Sequence, residues 1–437
     1  MAASQTNQQL TDRYDQQLVA HQAQLPGDGA VRQHAIKQLT AGGLPNRKTE
    51  RWRYTRLNRV LKQDFGPSHQ SAANKDDIDS LVSELTNQLG AQESALLVFD
   101  QGSFRADLSQ VSDLGGIEFL PLGEALSCGA VKLAESRDGT ARAFDQLNTA
   151  LVADGSWLKI PAGKQPKITI LVLAGAAHEQ TNYWRLVVDA QSLSEAEIDI
   201  IYLGNSDDQA YHSNNFIDLQ LSAGARLVVN QIQLQSQQAF HVAAMQVTCQ
   251  RDSFFRGHLL ALGADLARDD VDVYLAETGA SVQIDGLQLT GGSQHADLHL
   301  TVEHQAPYCN SHVTHHGLFS DHGRGVFNGR VHVFEGADGT DSEMQSKNLL
   351  LSERAEIDSK PELEIYADDV KCSHGCTVGD LDHDQLFYLR SRGLAEPQAR
   401  ALLLHAFAAA SFSEFAGPWA DYVARHVNQK LDQLSHD

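Results

Sequence analysis

Apolar and polar positions recur at two different periods along this chain, and the change of period divides it into three parts. Residues 7 to 90 carry helical spacing. Leu10, Tyr14 and Leu18 share a stripe, as do Val31, Ala35, Ile36 and Leu39 ahead of the Gly42-Gly43 stop, and Ile78, Leu81, Val82, Leu85 and Leu89 repeat the pattern. From Ala95 to Ala367 the period falls to two. Short strand-like runs follow one another at Ala95–Phe99, Trp157–Ile160, Ile168–Leu173, Trp184–Val188, Ile198–Leu203, Phe216–Leu221, Leu227–Leu234, Val271–Leu275, Val282–Leu289, Leu298–Val302 and Val326–Val333. Gly, Asn, Asp or Ser separates most of them. Roughly two hundred residues of this kind exceed a simple sandwich of about a hundred, and they fit either a large barrel or a coil of stacked strands. The lack of a strict internal repeat weakens a regular solenoid but not an irregular β-helix. After Gly379 helical spacing returns. Asp382 and Gln385 form a capping pair before Leu386 and Leu389, Gly393 stops that run, and Pro397 opens an Ala/Leu-rich helix expected to reach Gly417. Pro418 then starts a last helix with Trp419, Tyr422, Val423, His426, Val427, Lys430 and Leu434 on one stripe. The expected organisation is an N-terminal helical part over 1–94, a β core over 95–370 and a C-terminal helical part over 371–437.

The stretch from Lys360 to Thr377 joins the second part to the third. Leu363, Ile365 and Ala367 alternate with Glu364, Tyr366 and Asp368, so it begins as a strand with one buried face. Cys372, His374 and Cys376 follow. If the extended geometry continues, all three point to one side; if the chain turns helical, Cys372 and Cys376 still share a face. Thiolate and imidazole ligands suit zinc, copper or iron–sulfur chemistry. Three ligands leave a tetrahedral site incomplete, so water, substrate or a second polypeptide would supply the rest. Free cysteine also packs as a small hydrophobe, and spacing alone leaves both readings open.

Charge narrows the choice of partner. The 437 residues hold 56 acidic and 34 basic side chains, a net charge of −22, which disfavours nucleic acid and anionic membrane. A basic stretch from Arg47 to Lys62, interleaved with Trp52 and Tyr54, could read as a nucleic-acid patch, but in so acidic a chain a solvated helix face is the expectation. The amino terminus shows no apolar run behind a basic start, and no stretch approaches the ~18 apolar residues of a membrane span. Five scattered cysteines are no disulfide framework, and a cytoplasmic location is expected.

Other constellations carry less. Between Gln294 and His316 lie His295, His299, His304, His312, His315 and His316, with Asp297 among them. Leu298, Leu300 and Val302 take the inward parity, which puts His295, Asp297 and His299 on the outer face and predicts surface histidines there. His304 takes the inward parity, as a core imidazole. No Gly-x-x-x-x-Gly-Lys-Ser/Thr loop, Gly-x-Ser-x-Gly elbow or His-Glu-x-x-His is present. A competing reading is a β-helix carbohydrate-active enzyme using outward carboxylates such as Asp297. A stand-alone metal-binding protein is a third.

Four stretches resemble the SufB/SufD family of iron–sulfur cluster assembly scaffolds. They are Gly43-Leu44-Pro45 with Lys48-x-Glu50-x-Trp52-x-Tyr54-Thr55; Phe144 to Gly155 with Ile160-Pro161; Gln294-x-x-Asp297-x-His299-x-x-Val302-x-His304-x-x-Pro307 with Val326 to Gly329; and Lys347 to Gly375 with Leu386 to Gly393. The resemblance implies a right-handed parallel β-helix core flanked by helical domains and a non-catalytic role. It further implies a SufB-like partner at the β-helix end, a SufC-like ATPase on the C-terminal helices, and a possible homodimer when the chain is isolated. It places the candidate cluster ligands on Cys372 and His374, for a transient iron–sulfur cluster shared with the partner, and associates reduced flavin with the full complex. Cys376 stands where the family commonly has Ala, and reads as a neutral replacement ahead of a weaker, additional ligand.

Overall fold

The computed structural model describes residues 2–435 apart from 22, 47, 58, 61–64, 68–74, 90–94, 112–115, 134–141, 176–179, 205–209, 412–414 and 416–418. Arg47, Lys62, Gly90, Gly417 and Pro418 therefore lie outside the described residues.

Alternate strands enter alternate sheets, each of ten strands, one of them off the main path in the first sheet, so the chain winds into a parallel β-helix. In one sheet the strands Gln180–Ala190, His212–Leu221, Phe240–Cys249, Leu266–Leu275, His295–His304, Arg324–Val333 and Glu356–Ile365 stack in order. In the other, Lys167–Ala174, Glu195–Gly204, Arg226–Leu234, Phe254–Ala261, Ser281–Thr290, Asn310–Phe319, Thr340–Leu350 and Val370–Gly379 do the same. The repeat is one of position. Val229 pairs with Gly257, Gly257 with Ile284, Ile284 with Val313, Val313 with Met344 and Met344 with His374, offsets of 28, 27, 29, 31 and 30 residues. A period that wanders by four residues leaves no sequence repeat to find.

Period-two alternation sends one side chain of each pair into the lumen. Leu158, Leu186, Ile200, Val229, Met245, Val273, Ile284 and Val331 belong to the apolar interior. Between consecutive strands the chain must reverse within a few residues, and a left-handed residue does this at one corner of successive coils: Leu193, Gly224, Asp252, Gly279 and Tyr308 all have positive φ.

The outer faces are partly clothed by helices. Lys75–Leu89, Glu396–Ala409 and Ala420–Ser435 bury Ile78, Val82, Leu404, Val423, Val427 and Leu431 against Leu171, Ile201, Ile232, Leu260, Leu287 and Leu318 of the second sheet. Trp419 is fully buried and its Nε1 donates to Thr169 Oγ1 at 3.0 Å. Asp382 caps the helix His383–Ser391 by accepting from the amides of Asp384 and Gln385. The helix expected to extend from Pro397 toward Gly417 ends at Ala409.

Among its described residues the basic stretch is not one solvated helix, because Trp52, Thr55, Leu57 and Val60 are buried. It is a strap that makes a 3-10 turn at Glu50–Trp52 and lies on the first sheet. Trp52 is buried, the Arg268 guanidinium lies 3.8 Å over its ring, and Arg268 pairs with Asp270 at 2.9 Å and Asp297 at 2.5 Å. Arg51 adds bonds to Asp270 and Asp272. Burial opposes ionisation of Asp270 and Asp297, yet Arg268 holds both carboxyls below the usual carboxylate range.

Candidate functional site

The last strand, Val370–Gly379, settles the geometry that the residues alone left open. The chain stays extended past residue 370, and the β body closes at Gly379. Its register sets Cys372 beside Ser342, His374 beside Met344 and Cys376 beside Ser346. Met344 belongs to the interior cluster, and Ser342 and Ser346 are buried, so the three candidate ligands follow the inward parity. Among the described residues no further coil covers them. Glu356–Ile365 and Val370–Gly379 end the strand order of their sheets, and each shows one unpaired edge. Cys372 is therefore half-buried, and His374 and Cys376 are exposed. The lumen opens at this end with soft ligands at its rim.

The lumen beneath the rim is polar. Cys376 Sγ donates to Ser359 Oγ at 3.1 Å, Ser359 donates to Ser346 Oγ at 3.3 Å, and Ser346 meets His315 Nδ1 at 3.2 Å. His315 stacks on Phe327 with ring centres 4.7 Å apart. Under Cys372 a second chain runs from Ser342 to Ser311 at 2.7 Å and on to His304 Nε2 at 2.9 Å. Burial holds these imidazoles neutral: His315 is pushed down to about 3, with His316 adding to the effect, and His304 to about 4. Ser342, Ser346 and Ser359 escape notice in the sequence because no motif links them to the cysteines. An offset of thirty residues between Ser342 and Cys372, and between Ser346 and Cys376, is the signal that would have found them.

Burial pushes the Cys372 thiol up, and the Asp341 carboxylate adds to the shift. A soft metal must then displace its proton to bind. No group of three His, Cys, Asp or Glu able to hold a metal ion occurs among the described residues. Of the other cysteines, Cys249 and Cys309 are buried in the lumen, with burial pushing Cys249 up to about 12, and Cys128 is exposed on a short helix, Leu122–Cys128. Flavin does not fit this end. An isoalloxazine needs an enclosed slot, whereas a Cβ placed on Gly375 or Gly379 would meet nothing within 4 Å.

The histidine-rich stretch divides otherwise than its parity implied. His304 is an inward, buried imidazole. His299 and Asp297 do lie on the outer face, but the strap covers them, so they are buried, and His295 is half-buried with Nε2 2.9 Å from Thr55 Oγ1. His316 is buried under Phe407 of the C-terminal helices. Surface histidines were the expectation; a covering segment folded from elsewhere in the chain reverses it. Asp297 is locked to Arg268 and Thr55, which removes it from the carbohydrate-cleaving role. No helix among the described residues is long and apolar enough to cross a membrane.

Comparison with known proteins identifies the family. Residues 172–407 match the family model "SUF system FeS cluster assembly, SufBD core domain", and residues 4–96 match "SufBD protein N-terminal region". The chain is 30% identical over 387 residues to the iron–sulfur cluster assembly protein SufD of Escherichia coli, covering 86% of each. It is 31% identical over 392 residues to a SufBD family iron–sulfur cluster assembly protein of Synechocystis, covering 86% of this chain and 85% of that one. It is 21% identical over 272 residues to the iron–sulfur cluster assembly protein SufB of Bacillus subtilis, covering 61% of this chain and 58% of that one. The chain belongs to the SufB/SufD family of the Suf iron–sulfur cluster assembly system, and within it is SufD-like.

Proposed function

We propose that this chain is a cytoplasmic, non-catalytic scaffold subunit that holds one side of a nascent iron–sulfur cluster while a SufB-like chain holds the other. The observation that carries the reading is the unfinished coil: Cys372 and His374 follow the inward parity of a strand that nothing covers. Strand edges bare on both sheets are templates for pairing with a second β-helix. The same edges would let isolated chains pair with each other. A cluster bound by two incomplete ligand sets can be released when the chains move apart, which a closed site would resist. Cys376, already bonded to Ser359, is the weaker candidate and contributes least.

The C-terminal helices supply a second contact. Phe387, Tyr388 and Leu402 are 73%, 56% and 50% exposed, an apolar surface that a SufC-like ATPase would cover. The chain itself has no phosphate-binding loop, so ATP hydrolysis belongs to that partner. Its dimerisation would pull on the helices, whose other face grips the second sheet.

The test is anaerobic co-expression with a SufB-like chain and a SufC-like ATPase, with cluster measured by iron, sulfide and visible absorption. Cys372→Ala with His374→Ala is expected to lower cluster yield about tenfold or more, in line with loss of first-sphere ligands. Unchanged yield in a complex that still assembles removes both residues from the mechanism.

A further inference from the structure

A cavity of about 390 Å³ lies on the opposite flank from the C-terminal helices, between the strap and the corners of three successive coils. Its floor is a register ladder on the outer face of the first sheet: Leu266 pairs with His295, and His295 with Arg324. Tyr54, Arg56 and Arg59 of the strap form the wall. This is well within the size range of small-molecule sites.

The charge of the cavity runs against that of the chain. In a molecule of net charge −22 the cavity is lined by three arginines and one carboxylate, Asp265. Arg59 is neutralised by Asp265 at 2.5 Å, and Arg324 by Glu356 at 3.0 Å. Arg56 is exposed and makes no ion pair or hydrogen bond among the described residues. Arg354, outside the lining, meets the ring of His322, a lining residue, at 3.2 Å. Arg56 is thus the unpaired cation of the lining, and Arg324 is held by an ion pair exposed on both sides, which a more highly charged anion can displace. Thr55 gives its proton to Asp297, so Thr55 Oγ1 accepts from His295 Nε2, and Nδ1 is the open acceptor of a neutral ring. Burial, with Arg324, Arg268 and Arg59 nearby, favours that neutral form.

We propose that this cavity binds a phosphate-bearing small molecule, with the phosphate held by Arg56 and Arg324 and the rest of the ligand against Tyr54 and Leu266. A phosphate monoester carries about −1.5 to −2 charges near pH 7 and presents three acceptor oxygens to Arg56 and Arg324, more charge and more acceptors than a carboxylate brings. Guanidinium forks suit phosphate oxygens, and a singly protonated phosphate can donate its P–OH to His295 Nδ1.

The test is calorimetric titration of the full chain with phenyl phosphate, benzoate and inorganic phosphate at one ionic strength. Phenyl phosphate is expected to bind with a Kd on the order of 1 mM or tighter, about tenfold more tightly than either of the others. Arg56→Ala, at an exposed position without partners, should keep the fold by circular dichroism and weaken phenyl phosphate about tenfold, while Lys167→Ala leaves it unchanged. No heat of binding at tens of millimolar, equal binding of benzoate, or equal loss in the Lys167→Ala control would each overturn the assignment.

Discussion

At its first coils the solenoid is closed by antiparallel strands, Ser103–Phe104 on Ala95–Asp100 and Glu118–Pro121 on Gly155–Ile160. At its last coil two parallel strands stop with nothing beyond them among the described residues. The closed end is filled by rings: Phe99 lies 5.5 Å from Phe104 and 5.7 Å from Trp184, and Phe104 lies 5.1 Å from Phe119. The open end is lined by Ser311, Ser342, Ser346, Ser359, His304 and His315, with Cys372, His374 and Cys376 at the rim. A stack of coils needs a terminal cap to stay out of trouble with other chains. One end obeys that rule, and the other keeps its edges and polar lumen available. Under the proposed function, that difference is what leaves one end free to pair with a second chain.

The contrast predicts unequal costs of truncation. Phe99→Ala, at a fully buried ring, should cost about 3–5 kcal/mol, whereas Val378→Ala, 50% exposed on the last strand, should change stability by less than about 0.5 kcal/mol. Chemical denaturation with matched m-values measures both. Comparable losses would mean that the open end is packed as tightly as the closed one.

Acid should loosen the open end, and also the early coil that holds His212, whose buried imidazole is likewise held down to about 3. His304 and His315 are held down to about 4 and about 3 by burial, below the usual histidine value. As pH falls below the unfolded value near 6.5, the unfolded chain takes up protons that the folded imidazoles refuse, so stability is lost with falling pH. At about pH 5 the loss is roughly 2 kcal/mol for each of the two. Hydrogen exchange at that pH should rise in Asn310–Phe319 and Thr340–Leu350, and around His212, ahead of the coils without such a histidine, and His315→Phe should blunt the rise at the open end. Uniform exchange along the solenoid would erase the distinction between the ends.

A smaller effect concerns the rim. With its thiol pushed up, Cys372 must release a proton to bind a soft metal, so affinity should climb with pH. For one thiol proton the gain is about tenfold per pH unit while the thiol remains protonated. Cobalt titration of the assembled complex follows the thiolate band directly. A flat profile that persists in Cys372→Ala would place the metal elsewhere.

The same contrast explains which parts of the fold were legible in the sequence. Alternation marked strands such as Ile198–Leu203 and Val282–Leu289 because their inward positions are apolar. It failed for Asn310–Phe319 and Thr340–Leu350, whose inward positions include Ser311, His315, Ser342 and Ser346. Phe240–Cys249 and Phe254–Ala261 were hidden for related reasons: inward His241 in the first, and Gly257 breaking the second. Cys372 and His374 were legible from residue type and from resemblance. The hydroxyls behind them were not, because register joins them across thirty residues. The burial of Asp297 and His299 was equally hidden, since the strap that covers them lies some 240 residues away, as between Thr55 and Asp297 (separation 242).

The most direct measurement asks whether this chain touches the cluster at all. The assembled complex would be prepared with only this chain's histidines carrying the heavy nitrogen isotope, reduced, and examined by electron–nuclear double resonance. A nitrogen coupling that vanishes in His374→Ala is the predicted result. A cluster that forms in full without any coupling to the labelled chain would contradict the account.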